Sequence, residues 1–174
     1  MGEEIDRFIT DVKGAMAEAL VTMLFRWSGY TVKLHGQWKA TDLRSNLKAP
    51  LYLEGDGTTD HPDLVISRRG EKQLIEVKYR SEGKLYRQFG SNHKLKAQCL
   101  RWGNVEKIKV PFSVVIVNQE IEPYITVLQA PYLSEKGWFN KRTPIMEAGW
   151  NLRKDLHEEC VRLLKGGLFD GVNS

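Results

Sequence analysis

The stretch PDLVISRRGEKQLIEVKYR, Pro62 to Arg80, decides how the chain is read. A short apolar run, Leu64 to Ile66, is followed by Arg69–Gly70 and then by a second run ending Glu76-Val77-Lys78. Two runs of this kind about a glycine turn predict a β-hairpin. Residues two apart on a strand share a face, so Glu76 and Lys78 project together while Ile75 and Val77 enter the core. With Leu64 to Ile66 laid against Ile75 to Val77, Asp63 falls near the Glu76/Lys78 end. Two carboxylates then converge on one point with an ammonium beside them. Such a set suits a hard divalent cation, Mg²⁺ or Mn²⁺ rather than zinc, and a water that the ammonium can orient or help deprotonate.

Outward from the hairpin, the 174 residues are 41% hydrophobic and 28% charged, with six prolines, the balance of one globular domain over 1–174. Its core is expected over about 8–128, with 129–174 a C-terminal extension carrying a helix. No apolar run approaches membrane-spanning length. The residues after Met1 give no basic leader, so a cytoplasmic protein is expected. Cys99 and Cys160 form no disulfide framework and four histidines complete no zinc spacing, so both cysteines read as buried thiols. A net charge of +4 suits a polyanionic partner.

Ahead of the hairpin, apolar residues from Ile5 to Trp27 recur at three- and four-residue spacing. They predict an amphipathic helix whose apolar face carries Ile5, Phe8, Ile9, Val12, Met16, Ala19, Leu20, Met23, Leu24 and Trp27. Glu18 is the acid deep inside it. Ser28–Gly29 ends the helix and Tyr30 to Leu34 starts a strand. From His35 to His61 the pattern is loop, with a short strand at Leu51 to Leu53. Lys39, Arg44, Lys48, Thr58, Thr59 and His61 are its candidates for contacting a phosphate backbone or a base, with Trp38 beside them. Asp56 and Asp60 are second choices to Asp63 as ligands.

Beyond the hairpin, Arg80, Lys84, Arg87, Lys94 and Arg101 make a basic stretch that can neutralise phosphates beside a metal centre. A helix is expected from about Ser91 to Trp102. Pro111 to Asn118 and Tyr124 to Leu128 read as strands, Pro131 to Pro144 as irregular. A final helix from about Ile145 or Trp150 to Leu164 would cover the sheet or a second subunit, and a frayed tail follows it. The sum is an α/β domain around a mixed sheet.

The pattern Asp63 … Glu76-Val77-Lys78, with Pro62 before it and a helix bearing Glu18 ahead of Gly29–Tyr30, resembles the PD-(D/E)XK nuclease superfamily, which has the restriction endonuclease-like fold. The resemblance spans roughly Phe8 to Val117 and is greatest to archaeal Holliday junction resolvases and related small nucleases. The segment Gln37 to Asp60 departs from it by its length. The resemblance implies three antiparallel strands with the acids on the second and third, then a helix and a further strand. It also implies that Asp63, Glu76 and the Val77 backbone carbonyl hold Mg²⁺ or Mn²⁺, with Glu18 binding directly or through water. Lys78 would position the attacking water, and Gln98 would lie near the scissile phosphate. The function implied is a metal-dependent DNA endonuclease, possessing no small-molecule cofactor and working as a homodimer on junction or branched DNA. A sequence-specific restriction-type enzyme, a non-catalytic DNA-binding protein of the same fold, and a structural α/β domain are the alternatives.

Overall fold

A two-residue turn sets the register of the whole sheet. In the computed structural model, which describes residues 2–34, 62–80, 110–129 and 141–169, Arg69 and Gly70 both have positive φ, 53° and 86°. That is the backbone of the tight hairpin turn whose twist matches its strands. Strands β2 (Leu64–Arg68) and β3 (Glu71–Tyr79) leave it with Arg68 opposite Glu71, and the count backward puts Ile66 against Gln73 and Leu64 against Ile75. The expected pairing of Leu64 to Ile66 with Ile75 to Val77 is therefore corrected, because a turn this short leaves no slack. The consequence for Asp63 survives, since one step further the same register faces it toward Glu76.

Helix α1 (Gly2–Trp27) comes first and β1 (Thr31–Leu34) pairs antiparallel with β2. Between them the Tyr30 N–H reaches the Phe25 carbonyl at 3.1 Å and the Gly29 N–H the Arg26 carbonyl at 3.0 Å. Gly29 supplies the left-handed φ of 86° that this helix ending requires. Strand β4 (Phe112–Val117) lies parallel to β3, and β5 (Ile125–Gln129) returns antiparallel to β4. Among the described residues the sheet is mixed and six-stranded in sequence order, β1 to β6, within a mixed α/β fold. A parallel neighbour needs a crossover; the helix expected at Ser91 to Trp102 lies outside the described residues, as does the strand at Leu51 to Leu53.

The last strand, β6 (Thr143–Pro144), falls where an irregular stretch was expected, and pairs with β5. Proline lacks a ladder donor and is tolerated there because β6 is an edge. The final helix is shorter than expected: a 3-10 turn at Ile145–Glu147 precedes α2 (Lys154–Lys165), with Trp150 and Leu152 buried in the link between them. The tail is docked through Phe169. Its ring is buried, 4.5 Å from that of Tyr79, and its N–H donates to Gln119 Oε1 at 3.2 Å.

Alternation sorts the sheet into two faces. Val32, Leu64, Ile66, Ile75, Val77, Val115, Val117, Ile125 and Val127 form one, packed with Ala17, Val21, Leu24 and Phe25 of α1 and Cys160 and Leu164 of α2. The C-terminal helix thus serves this chain's own core. Helix α1 buries a narrower stripe than its apolar residues suggest: Ile5, Phe8, Met23 and Trp27 remain exposed. Burial pushes the Cys160 thiol up to about 11, in keeping with a structural thiol; Cys99 lies outside the described residues. Among the described residues no helix is long and apolar enough to cross a membrane.

Candidate functional site

Asp63 stands one residue before β2, where the hairpin ladder ends, and the sequence causes that ending. The register that pairs Leu64 with Ile75 sets Pro62 opposite Val77. Proline has no N–H to give to the Val77 carbonyl. The Val77 N–H is taken by the Asp63 side chain, Oδ2 accepting at 2.7 Å. On a strand the N–H and C=O of one residue point to the same side, so the Val77 carbonyl is directed toward the Asp63 end of β2 and away from β4. Pro62 and Asp63 together thus bring a carboxylate and a backbone carbonyl to one side of β3.

Glu76 and Lys78 share the sheet face opposite the one α1 covers, in line with Val114 and Ile116 of β4. The Glu76 side chain is 3% exposed and that of Lys78 is 27% exposed, and the Lys78 ammonium donates to Glu76 Oε1. A carboxylate this buried is costly unless paired, and the ammonium two residues on supplies the charge. Arg80, next on the same face, is half-buried, with Nη1 donating to the Tyr79 carbonyl at 2.7 Å. Burial draws its guanidinium below the ordinary range, and the nearby Glu76 carboxylate opposes that. Two acids and two cations therefore gather at this end of the hairpin. Arg80, expected as a contact to a phosphate backbone, stands beside Glu76. Continuing the two-residue alternation from Glu76 through Lys78 would have placed it there.

Glu18 is half-buried on α1, next to core residue Ala17, on the helix that packs over the other face of the sheet. Among the described residues no three His, Cys, Asp or Glu side chains form a metal-holding group, so the acids gathered here are the pair Asp63 and Glu76. The donor set still fits a hard cation. Two carboxylates and a carbonyl are all oxygen, and Mg²⁺ keeps several waters and takes substrate phosphate oxygens for the remainder of its shell. Gln98 and the expected contacts Lys39, Arg44, Lys48, Thr58, Thr59, His61, Lys84, Arg87, Lys94 and Arg101 lie outside the described residues, as do Asp56 and Asp60.

The chain matches no family model, no curated protein and no solved structure.

Proposed function

We propose that this chain is a metal-dependent DNA endonuclease with a restriction endonuclease-like core, hydrolysing phosphodiester bonds at Asp63, Glu76 and Lys78. The observation that carries the reading is the hairpin end itself. An acid that opens β2 is tied to β3 at Val77, between a buried glutamate and a lysine bonded to it. A surface pair would not need Glu76 at 3% exposure; burying a carboxylate at a strand end where a second acid is held calls for a use.

In this reading Asp63, Glu76 and the Val77 carbonyl hold Mg²⁺ or Mn²⁺. The bound ion would lower the pKa of a water and offset charge on the phosphoryl oxygens. Lys78 does two jobs. It neutralises Glu76 before the ion arrives, and afterwards its ammonium is at hand to orient the attacking water and offset charge at the phosphate. Arg80 adds a second cation on the same face. Gln98 is assigned to the scissile phosphate, and the basic residues from Lys84 to Arg101, with Lys39, Arg44, Lys48, Thr58, Thr59 and His61, to the DNA backbone. Cutting both strands calls for two centres, so the working form is a homodimer. Junction or branched DNA is the preferred substrate.

Incubating the protein with supercoiled, linear and four-way-junction DNA tests this, first with Mg²⁺ and then with EDTA. The reading expects cleavage that EDTA stops, greatest on the junction. Absence of Mg²⁺-dependent cleavage on all three substrates would remove the catalytic reading and leave a non-catalytic DNA-binding protein or a structural α/β domain.

A further inference from the structure

At the turn end of the same hairpin lies a cavity of about 270 Å³, between the β2–β3 turn and the link before α2. Its walls are locked by contacts that leave donors over. The Arg68 guanidinium lies 5.2 Å from the Tyr30 ring centroid, and its Nη1 donates to the Asn151 carbonyl at 3.0 Å. The Asn151 N–H donates in turn to the Tyr30 hydroxyl oxygen at 3.0 Å. Arg68, Asn151 and Tyr30 therefore brace one another, and the Tyr30 hydroxyl proton is left to donate elsewhere. Across the cavity, the Trp150 indole N–H donates to Gln73 Oε1 at 2.7 Å. With that oxygen engaged, the end of Gln73 that can meet a ligand is its amide nitrogen, again a donor.

Arg69 completes the lining, exposed at the turn and in no ion pair among the described residues. Among the described residues Glu71 is the one acid on the rim, so two guanidinium groups outweigh it. Donors thus come from three elements: Tyr30 before β1, Arg69 on the turn and Gln73 on β3. A planar carboxylate is served from one side by a single fork, whereas a tetrahedral oxyanion accepts from several directions. The volume is just below the usual range for small-molecule sites, roughly 300 to 1,000 Å³. It has room for a phosphoryl group with little more than a sugar.

We infer that this cavity binds a phosphoryl group, carried by a nucleotide or by a nucleic-acid strand. The site is separate from the acid pair. Gln73 is three residues from Glu76, about 10 Å at the rise of a strand, and on the other face of the sheet. It stands whether or not Asp63 and Glu76 catalyse anything. Where the strand is DNA, it supplies a second anchoring point for the substrate.

The test is an amide and indole N–H NMR titration of the full chain in EDTA, following Trp150 Nε1–H and the Gln73 side-chain amide. Four probes are added: inorganic phosphate, a nucleoside 5′-monophosphate, and one oligonucleotide with and without a 5′-phosphate. Saturable shifts of both signals are expected with phosphate and the nucleotide. Arg69→Glu should weaken them at least about tenfold, roughly 1.4 kcal/mol, and Arg69→Gly should weaken them without strain, since glycine accepts the φ of 53°. Glu76→Gln should leave them unchanged, which separates this site from the catalytic one. A stronger response to the 5′-phosphorylated oligonucleotide assigns the group to a strand end, and an equal response assigns it to the backbone. Should phosphate and nucleotide leave both signals unmoved, or Arg69→Glu respond as wild type does, the inference is overturned.

Discussion

Glu76 is buried at the one position where the sheet also carries Lys78 and Arg80 on the same face, so its charge depends on its neighbours. Removing the ammonium should expose that dependence. Lys78→Met is expected to destabilise the metal-free protein by about 1–3 kcal/mol, as a buried charged group loses its closest partner. The double change with Glu76→Gln should recover part of the loss, read as a coupling in urea unfolding. Equal stability of wild type and Lys78→Met would make the pair a surface contact. At this scale the sequence was informative about residue type and poor about surroundings. The spacing of Asp63, Glu76 and Lys78 was legible, because alternation along a strand fixes which side chains share a face. That Pro62 denies the Val77 carbonyl its ladder donor follows only once the register is known. The place of Arg80 was legible in principle by the same alternation, but its charge invited assignment to the basic stretch that follows.

Among the elements, the tight turns carried the most information. Arg69–Gly70 fixes the register of β2 on β3, and Gly29 ends α1 in the left-handed conformation at a φ of 86°. An alanine Cβ at position 29 would have room, its nearest neighbour being Arg68 Nη2 at 4.0 Å. The cost of Gly29→Ala is therefore backbone strain alone, about 1 kcal/mol. It should show as a lower urea midpoint with an unchanged slope. A midpoint equal to wild type would mean that the chain leaves α1 in another conformation. Strand β6 was not legible, since two residues, one a proline, carry no periodicity. The apolar residues of α1 overstated its buried face because Met16, Leu20, Met23 and Trp27 turn to a groove shared with Leu156, Leu163 and Leu168 on the α2 side.

At the scale of the whole molecule, the segment after α2 packs back on the sheet. Phe169, just past α2, is buried against Tyr79 at the end of β3, and thus close in sequence to the acidic end of the hairpin. The helix reaches that contact through the Leu168 N–H bond to the Leu163 carbonyl at 3.1 Å, with Gly167 at a φ of 76°. Phe169→Ala should cost about 3–5 kcal/mol of stability, seen as a large fall in melting temperature. A fall no larger than that of an exposed substitution would return the segment to a frayed tail. The α/β class and the two central strands were legible because long apolar runs and a hairpin are local signals. The parallel pairing of β3 with β4 and the docking of Phe169 were not, as both join residues far apart in the chain.

The central claim is that Asp63 and Glu76 hold the ion that makes phosphodiester hydrolysis possible. The most direct test is the single-turnover cleavage rate of one DNA substrate in Mg²⁺ by wild type and by Glu76→Gln. Glutamine keeps an oxygen for Lys78 and so limits any loss of folding, which the melting temperature of the variant checks. A rate lower by on the order of 10²-fold or more is expected in a folded protein, and the same for Asp63→Asn. Cleavage by both variants at the wild-type rate would contradict the claim.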